Sequence, residues 1–226
     1  MQLLESSVIG LRAARHHLTS RTSPVSVTLF PMCHLGTPEF YQTVYDDAGT
    51  HDIVLLEGIA SRAVRSLTRA YRWARPERLG LVVQKHPTFP ETCQVIHSDL
   101  TGPEFEALWA TVPRWERWTI AMATSLFGLW MRYFSTLDVI APHLSVNDVP
   151  PRDQILGPDP LVHILLNARD ERLCEHLTRI VQNANDRPLS VAVIYGASHM
   201  PAVIRHLGAL ANFTPTESEW MTVFGY

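Results

Sequence analysis

The chain has 226 residues, 46 % hydrophobic and 18 % charged, with a formal net charge of −3. This is enough apolar sequence for one sizeable core and an ordinary globular balance, which excludes a disordered chain. Acidic and basic residues are interspersed, so no nucleic-acid partner is expected. Arginine outnumbers lysine, which reads first as compositional bias and second as phosphate binding. Cys33, Cys93 and Cys174 form neither a CxxC nor a disulfide framework. Cys93 and Cys174 read as buried thiols, and Cys33 gains interest only from adjoining His34.

Met1 to Thr22 is interrupted by Glu5, Arg12, Arg15, His16 and His17 and has no signal-peptide core. The longest apolar run, Thr119 to Met131, falls short of the roughly 20 residues a bilayer span needs. A cytoplasmic protein with no membrane contact is the expectation.

In chain order, residues 1–24 read as a helical or partly ordered lead-in. Val25 to Phe30 is a β-branched strand bounded by prolines. Thr37-Pro38-Glu39 opens a helix to about Asp47, with Thr37 as N-cap and Pro38 at the first helical position. Asp52 to Glu57 is a second strand, apolar enough to be buried on both faces. Gly58 precedes a basic amphipathic helix to about Ala74. Leu79 to Val83 and Thr92 to Ile96 read as short strands, and Asp99 to Glu104 opens another helix. Trp115 to Leu137 is a long helix whose aromatic residues read as core or as a partner-binding face, which makes a homodimer plausible. The prolines between Pro142 and Pro160 mark a lid or linker. Leu161 to Asn185 reads as a helix, Leu189 to Tyr195 as a strand, Met200 to Leu210 as a helix and Glu219 to Phe224 as a final strand. The order predicts one α/β or α+β domain over residues 1–226. A mixed central sheet is flanked by helices, with a helical insertion and Pro-rich loop at 113–160.

No dinucleotide fingerprint, Walker motif, HExxH or GxSxG is present. Instead, His34, Glu57 and His199 each follow an apolar strand. If the three strands run parallel in one sheet, the three side chains converge at its carboxyl rim, where α/β ligands bind. Two histidines and a carboxylate suit a divalent metal, or a general base with an orienting carboxylate. Asp99 reads as a turn or capping residue or as part of the site. Glu39 starts a helix near His34 in sequence. Arg169 reads as a surface charge or as an anion clamp.

The segments Pro31-Met-Cys-His34-Leu-Gly36-Thr-Pro-Glu39, His51-Asp-Ile-Val-Leu-Leu-Glu57-Gly58, His97-Ser-Asp99-Leu-Thr, Ala168-Arg169-Asp170 and Val193-Ile-Tyr-Gly196-Ala-Ser-His199 together resemble the TraB/PrgY/GumN family. Its relatives include the Tiki proteases and the ChaN and erythromycin-esterase-like group. His34, Glu57, Arg169 and His199 match the family's early histidine, strand-ending glutamate, mid-chain arginine and late Gly-x-x-His. Gly36 follows the early histidine here rather than preceding it, and Arg172 is a second candidate for the arginine.

The resemblance implies a mixed sheet and a metal-dependent hydrolase using manganese, cobalt or zinc on a peptide, amide or ester bond. His34, Glu57 and His199 would be the ligands. Glu57, Arg169 and His199 would carry the chemistry, and Glu39, Asp99 and Arg172 would contact a peptide or small-molecule substrate. Two alternatives stand beside it: a metal-independent esterase-like site with a histidine base, and a non-catalytic peptide- or haem-binding cleft.

Overall fold

The computed structural model describes residues 1–144 and 162–226. Nine strands are assigned there: β1 (Leu4–Ser7), β2 (Gly10–Thr19), β3 (Val25–Met32), β4 (Leu35–Gly36), β5 (Ile53–Leu56), β6 (Val82–Val83), β7 (Gln94–His97), β8 (Leu189–Gly196) and β9 (Thr214–Gly225). The helices are α1 (Pro38–Ala48), α2 (Arg62–Leu67), α3 (Arg69–Trp73), α4 (Gly102–Thr111), α5 (Arg114–Phe134), α6 (Leu137–Leu144), α7 (Ala168–Asn183) and α8 (Met200–Ala211).

The main sheet is mixed. Its parallel half runs β3-β8-β5-β7, and β2 joins it to an antiparallel half formed with β1 and β9. Strand periodicity splits the core in two. Phe30, Val54, Leu56, Ala192 and Ile194 face a layer containing α1 residues Phe40, Tyr41 and Val44. Leu29, Ile53, Leu55, Val191, Val193 and Tyr195 face Leu173 and Leu177 of α7 and Met200, Val203 and Leu207 of α8. Sheets covered on both faces explain the unbroken apolar runs of β5 and β8. A smaller cluster around Phe105, Trp109, Leu100 and Ile164 closes the end near α4.

The α1 start is as the sequence indicates: the Thr37 hydroxyl accepts the Phe40 amide at 3.2 Å, and Pro38 occupies the first turn. Other expectations are corrected. The lead-in is two strands, not a helix. β2 pairs along its whole length with β9, whose ladder begins at Thr214 rather than Glu219. Arg12 and Arg15 are paired in that ladder region, with Glu5 at 2.5 Å and with Asp47 and Glu219 respectively.

The helix after Gly58 breaks into α2 and α3 at Thr68, whose hydroxyl bonds back to the Val64 carbonyl at 2.9 Å. Of the strand expected at Leu79 to Val83, Val82–Val83 is β6, which pairs only with β4 in a separate small sheet. A π-turn at His163–Asn167 precedes α7. The α5 aromatics are not core: Trp115, Trp118, Tyr133 and Phe134 are each more than 60 % exposed. Cys33 and Cys93 are buried, whereas Cys174 is half-buried. Most of the Pro-rich loop lies outside the described residues; Pro142 sits inside α6.

Candidate functional site

Four parallel strands deliver their carboxyl ends side by side. Met32 of β3 is in register with Gly196 of β8, Ile194 with Leu56 of β5, and Leu56 with His97 of β7. The residues that follow are therefore neighbours: His34 after β3, Glu57 after β5, Asp99 after β7 and His199 after β8. The convergence expected of His34, Glu57 and His199 is present, because β3, β5 and β8 lie in one sheet with the same sense.

The first turn of α7 completes the cluster. Arg169 grips Asp99 with two bonds, Nε to Oδ1 at 3.0 Å and Nη2 to Oδ2 at 2.7 Å, and Nη2 also pairs with Glu57 Oε1. Asp99 further accepts the amides of Gly58 at 3.1 Å and Leu100 at 2.8 Å. Glu57 Oε2 accepts the Gly196 amide at 2.5 Å. Burial works to raise the Glu57 pKa, but Arg169, His199, the Gly196 amide and His34 outweigh it and hold the carboxyl at about 2. Arg169 is held firmly protonated: burial disfavours its charge, and Glu57 and Asp99 more than offset that.

His199 is 2 % exposed. Its Nδ1 lies 2.7 Å from Asp170 Oδ1, and its Nε2 lies 3.9 Å from Glu57 Oε1. An ionised carboxylate only accepts, so Nδ1 carries the proton. Tyr195 meets the ring edge-on at 5.3 Å between centroids and anchors its own hydroxyl on the Ser98 carbonyl at 3.1 Å.

His34 differs from the rest. The side chains of Glu57, Asp99, Arg169, Asp170 and His199 are between 1 % and 17 % exposed, whereas His34 is open to solvent. The walls of the cleft still strip part of its hydration, and burial pushes its pKa below 6.5. Glu57 pulls the other way by favouring the charged ring, while Arg169 and His199 oppose it. The Tyr71 ring lies 4.8 Å from that of His34. The loop is fixed through its backbone: the Tyr41 hydroxyl donates to the Cys33 carbonyl at 2.8 Å and the Gln84 amide to the His34 carbonyl at 3.0 Å. Cys33 is buried, which pushes its thiol up to about 12, so it is no nucleophile at neutral pH.

Arg169, not Arg172, meets Glu57. Arg172 bonds Glu104 at 2.8 Å on the exposed side of α4. Glu39 is exposed on the first turn of α1. Asp99, readable from sequence as a turn former, is instead the buried counter-charge of Arg169. Asp170 and Tyr71 carry site contacts that sequence reasoning did not assign. Asp170 had a signal, since it adjoins Arg169; Tyr71 had none. A groove of about 720 Å³ runs between α1 and the loop after β6, lined by Tyr45, His86 and Phe89. It adjoins the site at Gly58, where a Cβ would meet His86 Cε1 at 2.8 Å.

Both Glu57 oxygens are taken, by a guanidinium and an amide, and Asp99 and Asp170 are likewise engaged. A cation placed at Glu57 would stand against Arg169. Among the described residues, no group of three or more His, Cys, Asp or Glu is arranged to hold a metal ion. The residues as arranged do not fit a resident metal.

Comparison of the chain with family models, with curated proteins and with solved structures finds no match in any of the three.

Proposed function

We propose that this site is a metal-independent hydrolase centre for an ester or amide bond, with His34 as general base. The observation that carries the proposal is the contrast between His34 and its neighbours. It is the one ring of the cluster open to the cleft, burial keeps it uncharged near neutral pH, and the Glu57 carboxylate lies within electrostatic reach. A neutral imidazole accepts a proton from water as that water's oxygen bonds to the scissile carbonyl carbon. Glu57 then favours the imidazolium that results, as a carboxylate does beside a catalytic histidine. The imidazolium returns its proton to the departing alkoxide or amine, so the step closes without another reagent.

Arg169 is a positioning residue in this reading. Its charge is countered by Glu57 and Asp99, which leaves it poorly suited to gripping a substrate carboxylate or a developing oxyanion. His199, held by Asp170, fixes the wall on which Glu57 rests. The groove beside His86 is the path by which an extended acyl or peptide chain would approach.

The test is hydrolysis of a series of p-nitrophenyl esters by wild type and His34→Gln. Turnover in the wild type, lost in the variant with an unchanged melting temperature, is the expected result. Turnover unaffected by His34→Gln overturns the assignment of the base. Tight peptide or haem binding without turnover would select the non-catalytic alternative.

A further inference from the structure

Helix α5 buries Met131 and packs Ile120 on the Phe105–Trp109 cluster, but shows most of its large side chains to solvent. Its small residues Ala121, Thr124, Ser125 and Gly128 turn toward the protein, and a Cβ on Gly128 would lie 2.8 Å from Ala70 Cα of α3. The large residues that turn outward form a stripe: Trp115, Trp118, Met122, Leu126, Leu129 and Tyr133 are each at least 44 % exposed and recur every three or four positions along 21 residues. A surface helix of a globular protein has the opposite arrangement, and contiguous exposed apolar surface marks an interaction site.

Charge selects the occupant. The helices α2 and α3 packed beside α5 carry Arg62, Arg65 and Arg69 at exposed positions, and Arg75 and Arg78 are exposed in the segment after α3. Counting Arg72 and the three arginines of α5, residues 62–78 and 114–134 hold nine arginines against Glu77 and Glu116, in a chain of net charge −3. Basic charge is thus concentrated around the aromatic face and depleted elsewhere. A second copy docked face to face would oppose the same arginines to one another. An anionic lipid surface is complementary on both counts: tryptophan and tyrosine favour the headgroup boundary, and arginines bind acidic lipid. No helix among the described residues is long and apolar enough to cross a membrane, so the contact would lie in the interface plane.

We infer that the α5 face, with α2 and α3 beside it, is a docking surface for an anionic membrane, contrary to the absence of membrane contact expected from composition. α3 also touches the candidate site, since Tyr71 packs on His34, so the docked face is one helix away from the cleft.

The experiment is sedimentation of the whole chain with vesicles of phosphatidylcholine alone or mixed with phosphatidylserine, with tryptophan emission as a second readout. Trp73, Trp115, Trp118 and Trp130, four of the six tryptophans, lie on this surface. Binding to the phosphatidylserine vesicles is expected, weakened by salt, with a blue-shifted emission that brominated lipids quench. Trp118→Glu with Leu126→Glu should abolish it, and Arg65→Gln with Arg69→Gln should weaken it roughly fivefold per arginine. Quenching of the wild type decides the matter should the glutamate pair fail to fold. No binding to phosphatidylserine vesicles, or no quenching, overturns the inference. So does a solution dimer, seen by light scattering, that the glutamate pair dissociates, because the face would then belong to a second copy.

Discussion

Asp170 Oδ1 accepts a hydrogen bond from His199 Nδ1 at 2.7 Å, joining the first turn of α7 to the loop after β8. Both residues are buried, so the bond is shielded from competing water. Buried charge-assisted bonds of this kind are worth about 1.5–3 kcal/mol. Asp170→Ala and His199→Ala should therefore be non-additive. A double-mutant cycle in urea unfolding should return a coupling above about 1 kcal/mol; additive losses would show that the contact contributes nothing.

The Arg169 substitution should be the most destabilising of the set. Arg169→Met leaves Glu57 and Asp99 without their cation, the Asp99 side chain being 1 % exposed, and losing one partner of a buried pair costs about 3–5 kcal/mol. Arg169→Lys should recover only part of this, because a lysine cannot make the two-pronged bond to Asp99. Arg172→Met, which breaks a solvent-screened pair with Glu104, should cost the least of the three. Chemical unfolding of the three variants checks the order.

Glu57 should mark the acid limb of stability. Its pKa falls from 4.5 in the unfolded chain to about 2 in the folded one, so the folded state binds fewer protons between those values. The stabilisation, on the order of 3 kcal/mol, is complete above pH 4.5 and is lost as pH falls toward 2. The stability gap between wild type and Glu57→Gln should be constant above pH 4.5 and shrink below it. A gap independent of pH would count against the charged cluster.

The pH dependence of hydrolysis should report His34. Burial places its pKa below 6.5, so kcat/KM should fall on the acid side with a midpoint below that value. Because His34 is exposed, His34→Gln should change stability by no more than about 0.5 kcal/mol. An acid midpoint above 6.5 would point to another group.

Gly196 is a geometric requirement of the site. A Cβ there would lie 3.2 Å from Glu57 Oε2 and 3.5 Å from His199 Cδ2, so Gly196→Ala should push Glu57 off the Gly196 amide. A stability loss of about 1–3 kcal/mol is expected for such crowding, with a larger proportional loss of ester hydrolysis. Unchanged hydrolysis would show that Glu57 can move freely.

The parallel half of the sheet was legible because its signals are local. β3, β5 and β8 are β-branched, apolar and followed by small-residue turns, and their shared sense alone brings His34, Glu57 and His199 together. The antiparallel half was not legible. β2 contains Arg12, Arg15, His16 and His17, and the polarity of two of these is satisfied from the far end of the chain: His16 Nδ1 meets Ser218 Oγ at 2.8 Å, and Arg15 meets Glu219 at 3.1 Å. Asp170 adjoins Arg169, but on a helical wheel it reads as one surface charge among Arg169, Glu171 and Arg172. The aromatic residues of α5 were legible as apolar but not as outward-facing, because periodicity gives a stripe without saying what covers it.

The most direct measurement is hydrolysis of a p-nitrophenyl ester by the purified protein before and after exhaustive chelation, with metal content determined on the same samples. Turnover that survives chelation in a protein holding no stoichiometric metal is the expected result. Loss of turnover on chelation, restored by manganese, cobalt or zinc, would contradict it and return His34, Glu57 and His199 to the role of metal ligands.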